Sequence, residues 1–258
     1  AAKPSFSLAV NMKLLAVTSG KGGVGKSVVT SNLAMALDKL GQHVGILDAD
    51  ISCPSQHVLL PPARPPYFDP SIDKYIPPMV GGIGDEKGPI KLASIGTLCP
   101  HDQFIAFRGP LLDKAVKELM NDCEWGDTDI VLVDTPPGTH DVHMSLAELG
   151  LTAAVAITTE SEVVNAAALR GIKFLNNEEI PMIGVIENFA KEGRKPELVN
   201  MLCDEVDADL LGSIPRSDDV EMGSETGEPL VALDDKNPIS ATFLDIGRQI
   251  LDRLDLLQ

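Results

Sequence analysis

Short, mainly apolar runs alternate along the chain with longer segments whose apolar positions recur at helical spacing. The runs are residues 12–18, 44–47, 90–95, 130–133, 153–157, 182–186 and 210–212. Continuous apolar character predicts strands buried on both faces, as in a parallel sheet. Between the first two runs, Val28, Leu33, Ala36, Leu37 and Leu40 share one helical stripe, and Gly41 supplies a natural stop. Further helices are predicted over residues 111–121, 142–149, 162–175, 196–206 and 239–256. Strands alternating with helices predict an α/β fold: a doubly wound, mostly parallel sheet with helices on both faces.

Residues 51–107 break this rhythm. Pro61-Pro62, Pro65-Pro66 and Pro77-Pro78 exclude regular helix there. Residues 81–84 and 85–88 suggest turns beside short strands, and 90–95 is the clearest strand. The stretch reads as an elaborated insertion over the ligand crevice, within a single domain spanning 12–258. Residues 1–11 read as a tail.

The first apolar run leads into Gly20-Lys21-Gly22-Gly23-Val24-Gly25-Lys26-Ser27, and the first helix opens near Val28. Every fixed position of the phosphate-binding pattern G-x-x-x-x-G-K-[ST] is filled, in the strand–loop–helix setting it requires. Glycines let backbone approach phosphate closely, and successive N–H groups form an anion nest. The helix N-terminus behind them adds roughly half a positive charge. Lys26 is placed to reach the β- and γ-phosphates of ATP, and the Ser27 hydroxyl to ligate Mg2+.

Two acidic stops end buried strands: Asp48-Ala49-Asp50 after residues 44–47, and Asp134 after residues 130–133. In an open α/β sheet those carboxyl ends line the ligand crevice. Asp134 therefore stands where an acid would hold Mg2+ through water. Gly138, shortly after it, can turn a backbone N–H toward the γ-phosphate.

Composition narrows the partners. With 38 acidic against 21 basic residues the formal charge is −17, which opposes binding to nucleic acid or to anionic membrane. No segment has the roughly 20 apolar residues of a membrane span, and residues 1–11 lack a signal-peptide core. Cys53, Cys99, Cys123 and Cys203 are widely spaced, with no C-x-x-C. No disulfide framework is expected, and the cytoplasm is the predicted location.

The second lysine of the loop, Lys21, is not required by a plain phosphate loop. With it the octet resembles the deviant Walker A ATPases, the MinD, ParA and Mrp group. Asp48-Ala49-Asp50-Ile51, Phe107-Arg108-Gly109-Pro110, Trp125-Gly126-Asp127, Asp134-Thr135-Pro136-Pro137-Gly138-Thr139 and Glu187-Asn188 are similar to the Mrp/ApbC branch from Lys13 to Asp255. That resemblance implies an ATPase active as an ATP-dependent homodimer and serving iron–sulfur cluster assembly or transfer. It implies that Lys21 acts on the partner's nucleotide, that Asp50 orients the attacking water, that Asp48 lies near the metal, and that Asn188 hydrogen-bonds the adenine. A nucleotide-switched positioning ATPase like MinD is the alternative. The client protein is not readable.

One departure bears on the cluster. Carriers of the branch follow Glu-Asn with a loop holding C-x-x-C, whereas this chain has Phe189-Ala190-Lys191-Glu192-Gly193-Arg194-Lys195-Pro196. A [4Fe–4S] cluster takes four thiolates, so none is expected to be held stably in the family manner. Cys203 is predicted to be a core residue, and Cys53 and Cys99 partly buried ones. His140 and His143 follow the second acidic stop and are read as solvated. The alternative metal-ligand role for Cys53, Cys99 and these histidines fits no standard spacing.

Overall fold

A computed structural model describes residues 12–83, 88–98, 109–138 and 148–257. Its ten strands among these residues are β1 (Lys13–Thr18), β2 (Val44–Asp48), β3 (Tyr67–Asp69), β4 (Lys74–Ile76), β5 (Met79–Val80), β6 (Ile90–Ala93), β7 (Ile130–Asp134), β8 (Ala153–Thr158), β9 (Met182–Ala190) and β10 (Leu210–Pro215). Eight of them form one sheet in the order β10-β9-β8-β1-β7-β2-β6-β5. All its pairings are parallel except β5 with β6, at one edge. The doubly wound sheet read from the apolar runs is therefore observed.

The helices are α1 (Lys26–Lys39), α2 (Gln56–Leu59), α3 (Gly109–Asp122), α4 (Glu162–Asn177), α5 (Glu197–Val206), α6 (Asp218–Thr226), α7 (Leu230–Leu233) and α8 (Pro238–Leu256). Successive residues of β1 feed opposite faces, as the two-residue period of a strand demands. Leu15 and Val17 pack with Leu33 and Leu37 of α1 and Phe243 and Ile250 of α8. Leu14 packs with Val116 and Met120 of α3, and Ala16 with Leu175 of α4. The sheet is thus covered on both sides, which is why its strands read as unbroken apolar runs.

The described residues of 51–107 divide between two sheets. Within them, β3 and β4 form a separate antiparallel hairpin, while β6 pairs in parallel with β2 and extends the main sheet. Trp125 is buried with its indole N–H on the Met120 carbonyl (2.8 Å). Two short helices, α6 and α7, follow β10 where no apolar period announced them. Capping residues mark α6: the Ser217 hydroxyl accepts from the Asp219 N–H (3.1 Å), and Gly227 ends the helix at φ 76°.

Candidate functional site

The strand order puts β1 between β7 and β8, and the loop after β1 opens at the carboxyl ends of all three. Gly25 closes that loop at φ 81°, in the left-handed region, directly before the first turn of α1. A Cβ there would stand 2.3 Å from Asn188 Nδ2, so only glycine fits. Gly20 is constrained differently: a Cβ would meet the α4 backbone at Ala168 N, 2.1 Å away. A cavity of about 240 Å3 runs along the loop, bounded by Lys21, Lys26, Ser27, Asp50 and Pro137 among others. The predicted octet, with Val28 behind it, therefore forms one concave surface.

The two acidic stops meet because of sheet register. Asp48 is the β2 partner of Asp134 on β7, so the two carboxylates lie side by side, both fully buried. Lys26, 7% exposed, forms a buried ion pair with Asp134 Oδ1. Asp134 Oδ2 accepts from Gln56 Nε2 (2.7 Å). Asp48 Oδ2 accepts from the N–H groups of Ser55 and Gln56 (3.1 Å each) and from the Ser94 hydroxyl (3.0 Å). Asp48 Oδ1 has no hydrogen-bond partner. Burial, and then the Asp134 charge beside it, push the Asp48 carboxyl up to about 7.

This donor set fits a hydrated divalent cation. A buried, orphaned carboxylate oxygen next to a second carboxylate and the Ser27 hydroxyl is an all-oxygen environment of the kind Mg2+ takes. The Lys26 ammonium already sits against an anionic group, which is the role phosphate would ask of it.

The remaining predicted residues fall around the same crevice. Asp50 lines the phosphate cavity, half-buried; its Oδ1 accepts from the Cys53 N–H (3.2 Å), and burial raises its carboxyl above the usual range. Lys21 is exposed on the rim, and its carbonyl accepts from the Ser19 hydroxyl (3.2 Å). Gly138 gives its N–H to the Ser19 carbonyl (3.2 Å), so in this state it faces the loop rather than the cavity. Asn188, buried at the end of β9, donates from Nδ2 to the Val24 carbonyl (2.8 Å). A second cavity of about 280 Å3 opens beside it, between Gly25, Phe189 and Pro215.

Among the described residues the cysteines do not converge on this crevice. Cys53 is exposed, which corrects the expectation that it is partly buried; it sits on a turn after β2, its N–H bonded back to Asp50. Cys203 is buried as expected, and burial pushes its thiol up to about 11. It borders a cavity with Pro181 and Met182 at the start of β9, the opposite end of that strand from Asn188. Among the described residues no group of three His, Cys, Asp or Glu side chains could hold a metal ion. Cys99, Arg108, His140 and His143 lie outside the described residues.

Sequence reasoning missed Gln56 and Ser94. Neither is part of a motif, and only the packing of α2 and β6 against β2 brings them to Asp48. Nor did it single out Phe189, which takes φ 56° at the lip of the second cavity.

A glycine-rich loop between a central parallel strand and a helix, facing two in-register carboxylates, defines a P-loop NTPase. Comparison with known proteins narrows the class. Residues 11–251 match the family model of the NUBPL iron-transfer P-loop NTPases, in the ParA group, and the chain belongs to that family. It is 35% identical over 255 residues to an iron–sulfur cluster carrier protein of Pyrococcus abyssi, covering 93% of this chain and 86% of that one. It is 32% identical over 262 residues to an Arabidopsis thaliana protein described as a mitochondrial iron–sulfur protein required for NADH dehydrogenase, covering 95% and 80%. Among solved structures, the MinC:MinD cell division complex of Aquifex aeolicus matches with a TM-score of 0.67 and 26% identity, covering 93% of this chain and 96% of that one. A nucleotide-binding protein of Archaeoglobus fulgidus in complex with ADP matches with a TM-score of 0.68 and 25% identity, covering 84% and 87%. Among the described residues no helix is long and apolar enough to cross a membrane.

Proposed function

We propose that this protein binds and slowly hydrolyses ATP as a homodimer and serves iron–sulfur cluster assembly or transfer, or a task derived from it. The observation that carries the ATP reading is the buried cluster of Lys26, Asp48 and Asp134 at the mouth of the glycine loop. The cluster-related reading rests on the similarity to named cluster carriers over nearly the whole chain.

In this reading the loop N–H groups and Lys26 bind the β- and γ-phosphates. Ser27, with Asp134 and Asp48 acting through water, would hold Mg2+, whose charge offsets that of the phosphates. Asp50 lines the same cavity and orients the attacking water. Asn188 braces the loop through Val24 and offers its amide oxygen to the base. Lys21, exposed at the rim, reaches the partner's nucleotide, where charge grows on the transferring phosphoryl group. A cation supplied in that manner is worth roughly 10³–10⁵-fold in rate. The cluster would be cargo whose ligands the loop 189–196 does not supply. The buried Cys203 is a poor substitute, because its thiol holds its proton.

The test mixes Lys21→Ala with Asp50→Ala subunits, each variant being inactive or nearly so alone. In the mixed dimer one site carries both defects and the other none. Recovery of up to about half the wild-type turnover is expected if the sites act independently. No recovery in a proven heterodimer rules out the arrangement across the dimer. Anaerobic reconstitution tests the cargo reading: about four irons per dimer with a sulfide-to-iron charge-transfer band means the protein holds a cluster itself.

A further inference from the structure

Among the described residues, Gln56 ties the loop, both carboxylates and the segment after β2 together. It is fully buried. Its Nε2 donates to Asp134 Oδ2 (2.7 Å) and to the Ser27 carbonyl (3.1 Å), and its backbone N–H donates to Asp48 Oδ2 (3.1 Å). Its Oε1 is buried with no partner, as is Asp48 Oδ1.

The orientation of this amide is fixed by chemistry. Both groups that Nε2 faces are pure acceptors, so a flipped amide would set oxygen against oxygen. The nitrogen must face Asp134 and Ser27, which leaves the oxygen, on the other branch of the same planar amide, to accept from a different donor. Packing does not explain the choice of residue, since a leucine fills similar volume with no polar group to satisfy. The Gln56 amide oxygen can only accept, and so can Asp48 Oδ1 once its carboxyl is ionised, the form that holds a cation; in that form neither satisfies the other. What the place lacks is a donor, and the water shell of a divalent cation is made of donors.

We propose that Gln56 is a positioning residue of the metal site: its amide nitrogen holds Asp134 in place, and its amide oxygen accepts a hydrogen from water carried by the cation. This rests on the nucleotide reading above. It gives the segment after β2 a direct connection to metal occupancy, because α2 begins at Gln56. Asp50, six residues earlier, lines the phosphate cavity.

The test is Mn2+ affinity in the presence of ADP, read by electron paramagnetic resonance, beside ADP affinity without metal and thermal melting. In Gln56→Leu, Mn2+ should bind about 10–100-fold more weakly, the usual cost of losing an outer-shell partner. Metal-free ADP affinity should stay within about threefold. In Gln56→Glu an acceptor oxygen is kept and a negative charge added, so Mn2+ should bind at least as tightly as in the wild type. Metal-free ADP affinity should fall, because the added negative charge stands beside the Lys26–Asp134 pair and the phosphate loop. A merely structural role weakens both variants alike, and that result overturns the proposal. So does unchanged Mn2+ affinity in a folded Gln56→Leu protein. If the leucine variant does not fold, the direction of change in the glutamate variant decides. Wild-type protein that binds neither ADP nor Mn2+ with ADP would sink the nucleotide reading itself. Wild-type binding with no effect in either variant sinks only the role of Gln56.

Discussion

On the phosphate side of the crevice, Lys26, Asp48, Gln56 and Asp134 are buried and bonded to one another. A few residues beyond Asn188, the loop from Lys191 to Lys195 is exposed at every position. Its one described ion pair runs from Arg194 to Glu160 at 3.7 Å. The first region is organised before any ligand arrives, and each of its charges depends on a neighbour. The second is charged, open and held mainly at its far end, where Glu160 accepts from the Leu198 N–H (3.0 Å). The contrast shows where this chain is committed. Nucleotide chemistry is built into the core of the sheet, while the loop that resembles the cargo end of the family carries only solvated charge.

The largest effect should come from the buried pair. Lys26→Ala removes the ammonium that phosphate needs and leaves Asp134 buried beside Asp48 without its cation. Breaking a buried pair this way costs about 3–5 kcal/mol, so the variant should lose stability as well as ATP binding. Denaturant melts and calorimetry read the two losses. Normal ATP affinity would end the phosphate-loop assignment.

Next is Gly25→Ala. The new Cβ meets Asn188 Nδ2 and forces alanine to φ 81°. A loss of about 2 kcal/mol in stability is expected from the strained backbone and the displaced hydrogen bond to Val24. Nucleotide affinity should fall with it. Tolerance of alanine would mean that the brace between β9 and the loop is not rigid.

A smaller effect concerns pH. Asp48 holds its proton more tightly folded, up to about 7, than at its ordinary 3.8. The folded state therefore binds the extra proton between those values, and its stability falls as pH rises across that window. Above about 7 the contribution is flat. Asp48→Asn should remove this share of the slope in denaturant melts of the ligand-free protein. An unchanged slope would place the titration elsewhere.

The smallest effect should be at the exposed loop. Lys191→Ala and Lys195→Ala are each expected to change stability by less than about 0.5 kcal/mol, as exposed sites do. ATP affinity should be unchanged. A large loss in either would erase the contrast between the two regions.

The site was legible in the sequence where chemistry is local. The glycine loop, Lys26 and Ser27 are contiguous, and Asp48 and Asp134 announce themselves by ending apolar runs. Asn188 entered only through a resemblance, since nothing around it specifies a contact 164 positions away with Val24. Gln56 had no signal, because a glutamine after Pro54-Ser55 reads as a solvated side chain until α2 folds inward. The two short helices between β10 and α8 were missed for a different reason. The marks of α6 are its Ser217 cap and acidic first turn, and α7 is a four-residue helix with neither.

The sequence by itself determined that this chain folds as a parallel α/β sheet with a phosphate loop after its first strand. Strand burial and loop chemistry both leave patterns within a few residues. Tertiary structure alone decided that Asp48 and Asp134 stand side by side, because that depends on the register of β2 against β7. It also decided that β6 joins the main sheet and that Cys203 lies at the opposite end of β9 from the nucleotide crevice. Those facts depend on which surfaces bury one another across long stretches of chain, and no local period encodes that choice.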